Sequence, residues 1–199
     1  MTPDPDSPEP AESGKAPRQL GSTDLKRLHR EWRRKTDGRV ALLLDNVQTP
    51  FNVGSILRTA AAMRVDHLWL TGATALPTHD RTRKTAMGAE RYLTWTELED
   101  TAAAIKAAKA DGYHVVGIEL ADGAVPLQEA ELSESVCLVL GHEDRGVHAT
   151  VLAAADGVAF IPQLGRIGSL NVATAAGIAL YEARRRSWVP GDGGPVHVD

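Results

Sequence analysis

Three stretches of this chain combine glycine with short polar side chains of nearly fixed geometry. The first is Asn46-Val47-Gln48-Thr49-Pro50-Phe51-Asn52-Val53-Gly54, continuing to Arg58. The second is Gly141-His142-Glu143-Asp144-Arg145-Gly146. The third runs over 161–171 and holds Gly165, Gly168, Ser169 and Asn171. Glycine lets backbone N–H and C=O groups approach a ligand closely. The amides, hydroxyl, carboxylate and guanidinium around it can orient a polar substrate. None of the stretches carries G-x-G-x-x-G or a P-loop, so neither a standard dinucleotide fold nor a P-loop NTPase is supported. No histidine and carboxylate spacing suggests a metal site. Each stretch also has a structural reading. Asn52 can cap the helix that carries Arg58, and Gly54 can be a packing position. Ser169 can be an N-cap with Asn171 in the first turn, and Glu143 and Arg145 can form a surface ion pair.

What sets these stretches apart is where the surrounding elements put them. Short apolar runs at 40–44, 67–70, 113–120, 136–140 and 158–161 read as strands, with a further short strand at 91–95. Between them lie helical patterns at 53–63, 97–110 (capped by Thr96) and 150–155, and a last long helix at 170–186 capped by Ser169. Arg184, Arg185 and Arg186 suit its C-terminus. A polar loop with Pro77 follows the second strand. Six strands alternating with helices predict an α/β domain on a mainly parallel sheet. In such sheets ligands bind beyond the carboxyl ends of the strands, and the three stretches follow the first, fifth and sixth strands.

Composition sets limits on the rest. The chain has 199 residues, 43% hydrophobic and 24% charged, enough for one sizeable core. Its net charge of −4 does not advertise nucleic-acid binding, so any such surface must be local. The single cysteine, Cys137, rules out an intramolecular disulfide framework and reads as a small buried hydrophobe. No run reaches the roughly 18 apolar residues of a membrane span, and the acidic, proline-rich start is unlike a signal peptide. These features predict a cytoplasmic protein. Residues 1–17 are expected to be a disordered tail and 189–199 a loose one. Between Arg18 and Arg39 there are eight Lys/Arg against three Asp/Glu, 8 − 3 = +5. Leu25, Leu28 and Trp32 recur there at helical spacing, with Ser22 or Thr23 as cap, so 18–39 is a basic helical extension. It is either a solvated helix docked by its apolar stripe or a phosphate-contacting surface. The α/β domain takes 40–188.

The residues also match a family. Asn52-Val53-Gly54-Ser55-Ile56-Leu57-Arg58-Thr59-Ala60 resembles the first motif of the SpoU (TrmH-like) RNA methyltransferases of the SPOUT superfamily. Leu138-Val139-Leu140-Gly141-His142-Glu143-Asp144-Arg145-Gly146 resembles the second. Ile161-Pro162, then Ser169-Leu170-Asn171-Val172-Ala173 and the alanine-rich helix to Arg186, resembles the third. Order and spacing agree from about residue 40 to 186. The resemblance implies a C-terminal trefoil knot, a feature periodicity could not suggest. It also implies a homodimer with the site near the subunit interface. S-adenosyl-L-methionine (AdoMet) would be held in a bent conformation, mainly by backbone at Gly141, Ile161 and Leu170, with Ile118 beside them.

The reaction so implied is methyl transfer to a ribose 2′-hydroxyl. Arg58 takes the central role, as general base or as phosphate and charge stabiliser. Asn52 would hold Arg58 or the ribose, and Glu143 would orient Arg58 or the nucleotide. Ser169 and Asn171 would position the nucleotide. Arg145 stands where the family often has lysine or another polar residue. RNA contacts are expected from Arg27, Arg30 and Arg34 on the basic helix and from Arg83 and Lys84 in the proline loop, with a solvated loop as the alternative there. tRNA is the first expectation for the substrate and rRNA, including a resistance role, the second. A non-catalytic RNA-binding module is a further reading, and a metabolic enzyme with a nucleotide cofactor fits least.

Overall fold

The computed structural model describes residues 18–132 and 134–188. The tails expected at 1–17 and 189–199 lie outside them. Two compact units divide at Arg34 and Lys35. In the first, helix α1 (Ser22–Arg34) has no buried residue. Ser22 and Thr23 lie within the helix, and Asp24 in its first turn accepts from the Gly21 N–H at 3.4 Å.

The second unit is built on seven parallel strands in the order β3-β2-β1-β6-β4-β7-β5. They are β1 (Arg39–Asp45), β2 (His67–Thr71), β3 (Trp95–Leu98), β4 (His114–Ile118), β5 (Val125–Pro126), β6 (Ser135–Leu140) and β7 (Gly157–Phe160). Because the crossovers place helices on both faces, the central strands are buried on both sides and read as unbroken apolar runs. β1 shows the division. Val40, Leu42 and Leu44 face α2 (Pro50–Ala62) and α6 (Val172–Ser187), packing with Ile56, Leu57, Ala176 and Leu180. Ala41 and Leu43 face α4 (Thr101–Ala110) and α5 (Ala149–Ala154), packing with Ile105, Cys137 and Val151. Cys137 is fully buried, as its apolar context predicts.

β1 connects through α2 to β2 on one side, whereas β6 connects through α5 to β7 on the other. The order therefore reverses between β1 and β6, and such sheets bind ligands at the carboxyl ends beside a reversal of this kind. Asn46–Gly54 and Gly141–Gly146 both sit at that reversal.

Several boundaries differ from the sequence expectation. The seventh strand, β5, is two residues long and ends in a proline, an edge position no hydrophobic pattern marks. The strand expected at 91–95 lies at Trp95–Leu98, because left-handed Met87 (φ 54°) and Gly88 (φ 84°) turn the chain into a 3₁₀ turn at Ala89–Tyr92. Asp100, not Thr96, caps α4, accepting from the Ala102 N–H at 3.0 Å. The proline loop contains helix α3 (Asp80–Ala86), held by burial of Thr82 and Ala86 one turn apart. α2 starts at Pro50, with proline at its first position, so Asn52 lies inside the helix and does not cap it. α6 is capped by Asn171 rather than Ser169.

Candidate functional site

One side chain from each of the three stretches joins a single hydrogen-bonded chain. Asn52 is 6% exposed in the first turn of α2. Its amide Nδ2 donates to Glu143 Oε1 at 3.1 Å. Its Oδ1 accepts from Asn171 Nδ2 at 3.0 Å. Asn171 in turn caps α6, its Oδ1 accepting from the N–H groups of Ala173 (2.9 Å) and Thr174 (3.3 Å). Asn52 thus ties the loop after β6 to the start of α6 through the start of α2. An amide suits this place because it donates to a carboxylate and accepts from a second amide at once.

Glu143 sits at the positive end of α2. Its Oε1 also accepts from the Thr49 N–H (2.9 Å) and its Oε2 from the Gln48 N–H (3.2 Å). Partial burial alone would raise its pKa. Hydrogen bonds from its own backbone N–H, from Thr49 and from Asn52 outweigh that and bring it down to about 2. Glu143 is therefore a fixed anion, and an ion pair with Arg145 is not what holds it.

A cavity of about 460 Å³ opens beside this network, in the range of small-molecule sites. All four residues expected against a cofactor, Ile118, Gly141, Ile161 and Leu170, line it, as do Glu143 and Ser169. Gly141 has no room for a side chain: a Cβ would run into Gly146 C and O and the Val147 N. The turn closes on itself there, through His142 N–H to Gly146 C=O at 3.1 Å and Gly146 N–H to His142 C=O at 2.8 Å. Gly141 is thus required by the closure of this turn on itself, and the turn forms one side of the cavity. Ser169 is exposed on the loop before α6.

The sequence motifs pass over Glu119, just past β4 on the cavity wall. Its Oε2 accepts from the Val147 N–H at 2.8 Å and its Oε1 from the Leu120 N–H at 3.0 Å. Gly146 (φ 66°) lies so close that a Cβ would meet this carboxylate. A lone glutamate at a strand end carries no signal in sequence.

Arg58 stands apart from the network. It lies on the exposed face of α2, and its Nη1 donates to Met87 Sδ at 2.9 Å. Within one chain no hydrogen bond links it to Asn52 or Glu143; six residues along a helix place Arg58 and Asn52 on different faces. Gly54 is the packing position of the structural reading. A Cβ there would meet the Thr82 carbonyl oxygen and Thr85 Cβ, each at 2.6 Å, so it lets α2 and α3 approach. α3 carries the exposed Arg83 and Lys84, with Arg83 3.8 Å from Glu90. Arg27, Arg30 and Arg34 are all exposed on α1. Among the described residues no group of three or more His, Cys, Asp or Glu could hold a metal ion, and no helix is long and apolar enough to cross a membrane.

Known proteins resemble this chain in sequence and fold. The SpoU rRNA Methylase family matches residues 39–181. The 23S rRNA (guanosine-2′-O-)-methyltransferase RlmB of Acinetobacter baylyi is 34% identical over 75% of this chain and 61% of its own length. The tRNA (guanosine(18)-2′-O)-methyltransferase of Escherichia coli is 31% identical over 77% of this chain and 66% of its own. Among solved structures, an AdoMet-bound rRNA methyltransferase from Sinorhizobium meliloti superposes with a TM-score of 0.71 at 35% identity, covering 76% of this chain and 58% of that one. The chain spans 54%, 61% and 58% of three curated relatives it matches. With the matched region running from β1 into α6 and holding all three polar stretches, the chain belongs to the SpoU methylase family.

Proposed function

We propose that this chain is an AdoMet-dependent RNA methyltransferase acting on a ribose 2′-hydroxyl. One observation carries the reading: the cavity that gathers Ile118, Gly141, Ile161 and Leu170 adjoins the Glu143–Asn52–Asn171 chain. The cavity fits the cofactor by volume and by the residues that line it. When bound, AdoMet supplies the electrophilic methyl group on its sulfonium. Ile118, Ile161 and Leu170 would exclude water from its apolar parts, and the Gly141 turn would stand against its polar ones. Glu143 and Asn52 keep the cavity wall and the start of α2 in register, and Ser169 and Asn171 position the nucleotide at the rim.

Arg58 binds a substrate phosphate and stabilises negative charge as the 2′-hydroxyl loses its proton. A guanidinium keeps its charge across the accessible pH range, which favours this role over that of a base. The protein works as a homodimer, a reading supported by exposed Phe51 on α2 and by Ile178 and Tyr181 on α6. The passage from β7 to α6 belongs to the trefoil knot of this family. Arg27, Arg30, Arg34, Arg83 and Lys84 contact RNA phosphates. tRNA is the first substrate to test and rRNA the second, since relatives named for each resemble this chain. The cytoplasm is the compartment that fits such substrates.

Calorimetry with AdoMet, then transfer of tritiated methyl to total tRNA and to rRNA separately, tests the reading. Wild-type protein should bind AdoMet and label one RNA at ribose. Arg58→Ala should keep AdoMet binding and lose about 100-fold or more of transfer. Near-normal turnover by that variant would remove Arg58 from its role; failure of the wild type to bind AdoMet would sink the whole reading.

A further inference from the structure

We infer that the 79–92 segment beside Arg58 is a base-stacking platform for single-stranded RNA, with Tyr92 as its aromatic face. The inference rests on the methyltransferase reading and adds a contact that selects the RNA strand next to the target. Tyr92 is 83% exposed and Met87 70%. Neither contributes to the core, yet both are large and apolar and lie on one short segment. Cations surround them. Arg81, Arg83, Lys84 and Arg91 stand against Asp80 and Glu90, 4 − 2 = +2, in a chain whose total is −4.

The segment is joined to the proposed reaction centre. Arg58 donates to Met87 Sδ at 2.9 Å. Arg91 folds back so that its Nη2 lies 2.5 Å from where a Gly88 Cβ would be, which sets a second guanidinium against the turn that carries Met87. Tyr92 ends the 3₁₀ turn Ala89–Tyr92, which packs against α2, the helix that carries Arg58. A nucleotide held at Arg58 therefore has its neighbour within reach of the tyrosine ring. An exposed ring flanked by cations is how proteins hold unpaired bases without reading their sequence.

The test is fluorescence anisotropy with a labelled mixed-sequence 12-nucleotide single-stranded RNA, repeated across a salt series. Tyr92→Ala should weaken binding about 5- to 150-fold, the equivalent of one stacked base at about 1–3 kcal/mol. The salt slope should not change, because no charge is removed. Tyr92→Phe should bind as wild type. The double variant Arg81→Ala/Lys84→Ala should instead flatten the slope by about 1.4, or 0.7 per phosphate contact. All three variants should bind AdoMet normally. Unchanged RNA affinity in Tyr92→Ala, or equal loss in Tyr92→Phe, overturns the platform and leaves the methyltransferase reading intact. Wild-type protein that binds AdoMet but no RNA overturns both.

Discussion

Replacing Asn52 probes the joint on which the site depends. In Asn52→Ala the chain loses a hydrogen bond to a carboxylate (3.1 Å) and one between amides (3.0 Å). Typical net values are about 1.5–3 kcal/mol for the first and about 1 kcal/mol for the second. Glu143 is half-buried and Asn171 exposed, so water replaces part of both and the loss should be about 2 kcal/mol. In a domain of this size that lowers Tm by about 4–8 °C. Asn52→Asp is the sharper variant. It sets a carboxylate against Glu143, which in the wild type is held as an anion down to about pH 2. Repulsion should cost roughly 1–3 kcal/mol more than the alanine change at pH 7, after allowing for solvent. The new carboxyl must then titrate above its unfolded value of about 3.9. Its penalty is complete above the raised folded pKa and fades as pH falls through it. The contribution of Glu143 has the opposite sense: it is present above 4.5 and is lost only as pH falls towards about 2. The seven histidines are common to all three proteins, so from about pH 4.5 to 8 the difference between the Asp and Ala variants follows the new carboxyl alone. Urea denaturation of the three proteins across that window should show the Asp variant converging on the Ala variant as pH falls. A gap independent of pH, or an Asp variant as stable as wild type at pH 7, would refute the network.

Two further changes test other parts of the molecule. Gly141→Ala forces the 141–147 turn apart and should abolish calorimetric AdoMet binding while the far-UV circular dichroism stays that of a folded α/β protein. Arg184 is 4% exposed and donates to the carbonyls of Met63 (2.8 Å), Gly38 (3.0 Å) and Arg64 and to Asp66 Oδ2 (3.3 Å). Arg184→Ala should cost about 3–5 kcal/mol in urea denaturation, because it strips those groups of their shared donor; a loss below about 1 kcal/mol would mean the contacts are incidental.

How far the molecule is legible in its sequence depends on the range of the interaction that decides each feature. The apolar runs of β1, β2, β4, β6 and β7 announce themselves, since a doubly covered parallel sheet demands continuous hydrophobicity. The three polar stretches follow strand ends, and their order and spacing match the SpoU pattern, so fold class and family are legible in residue types and spacing, and the cavity residues follow from that resemblance. Local competition between signals defeated the caps and the third strand: Asp100 and Asn171 displaced Thr96 and Ser169, and the left-handed Met87–Gly88 pair shifted β3. Only the tertiary structure could show that Asn52 bonds a residue 119 positions away, that Glu143 is fixed by the amides before α2, that Arg58 leans on Met87, and that Glu119 pins the cavity turn. Each of these depends on which groups the crossovers of the sheet bring within about 3 Å. Spacing along the chain carries no information about that distance.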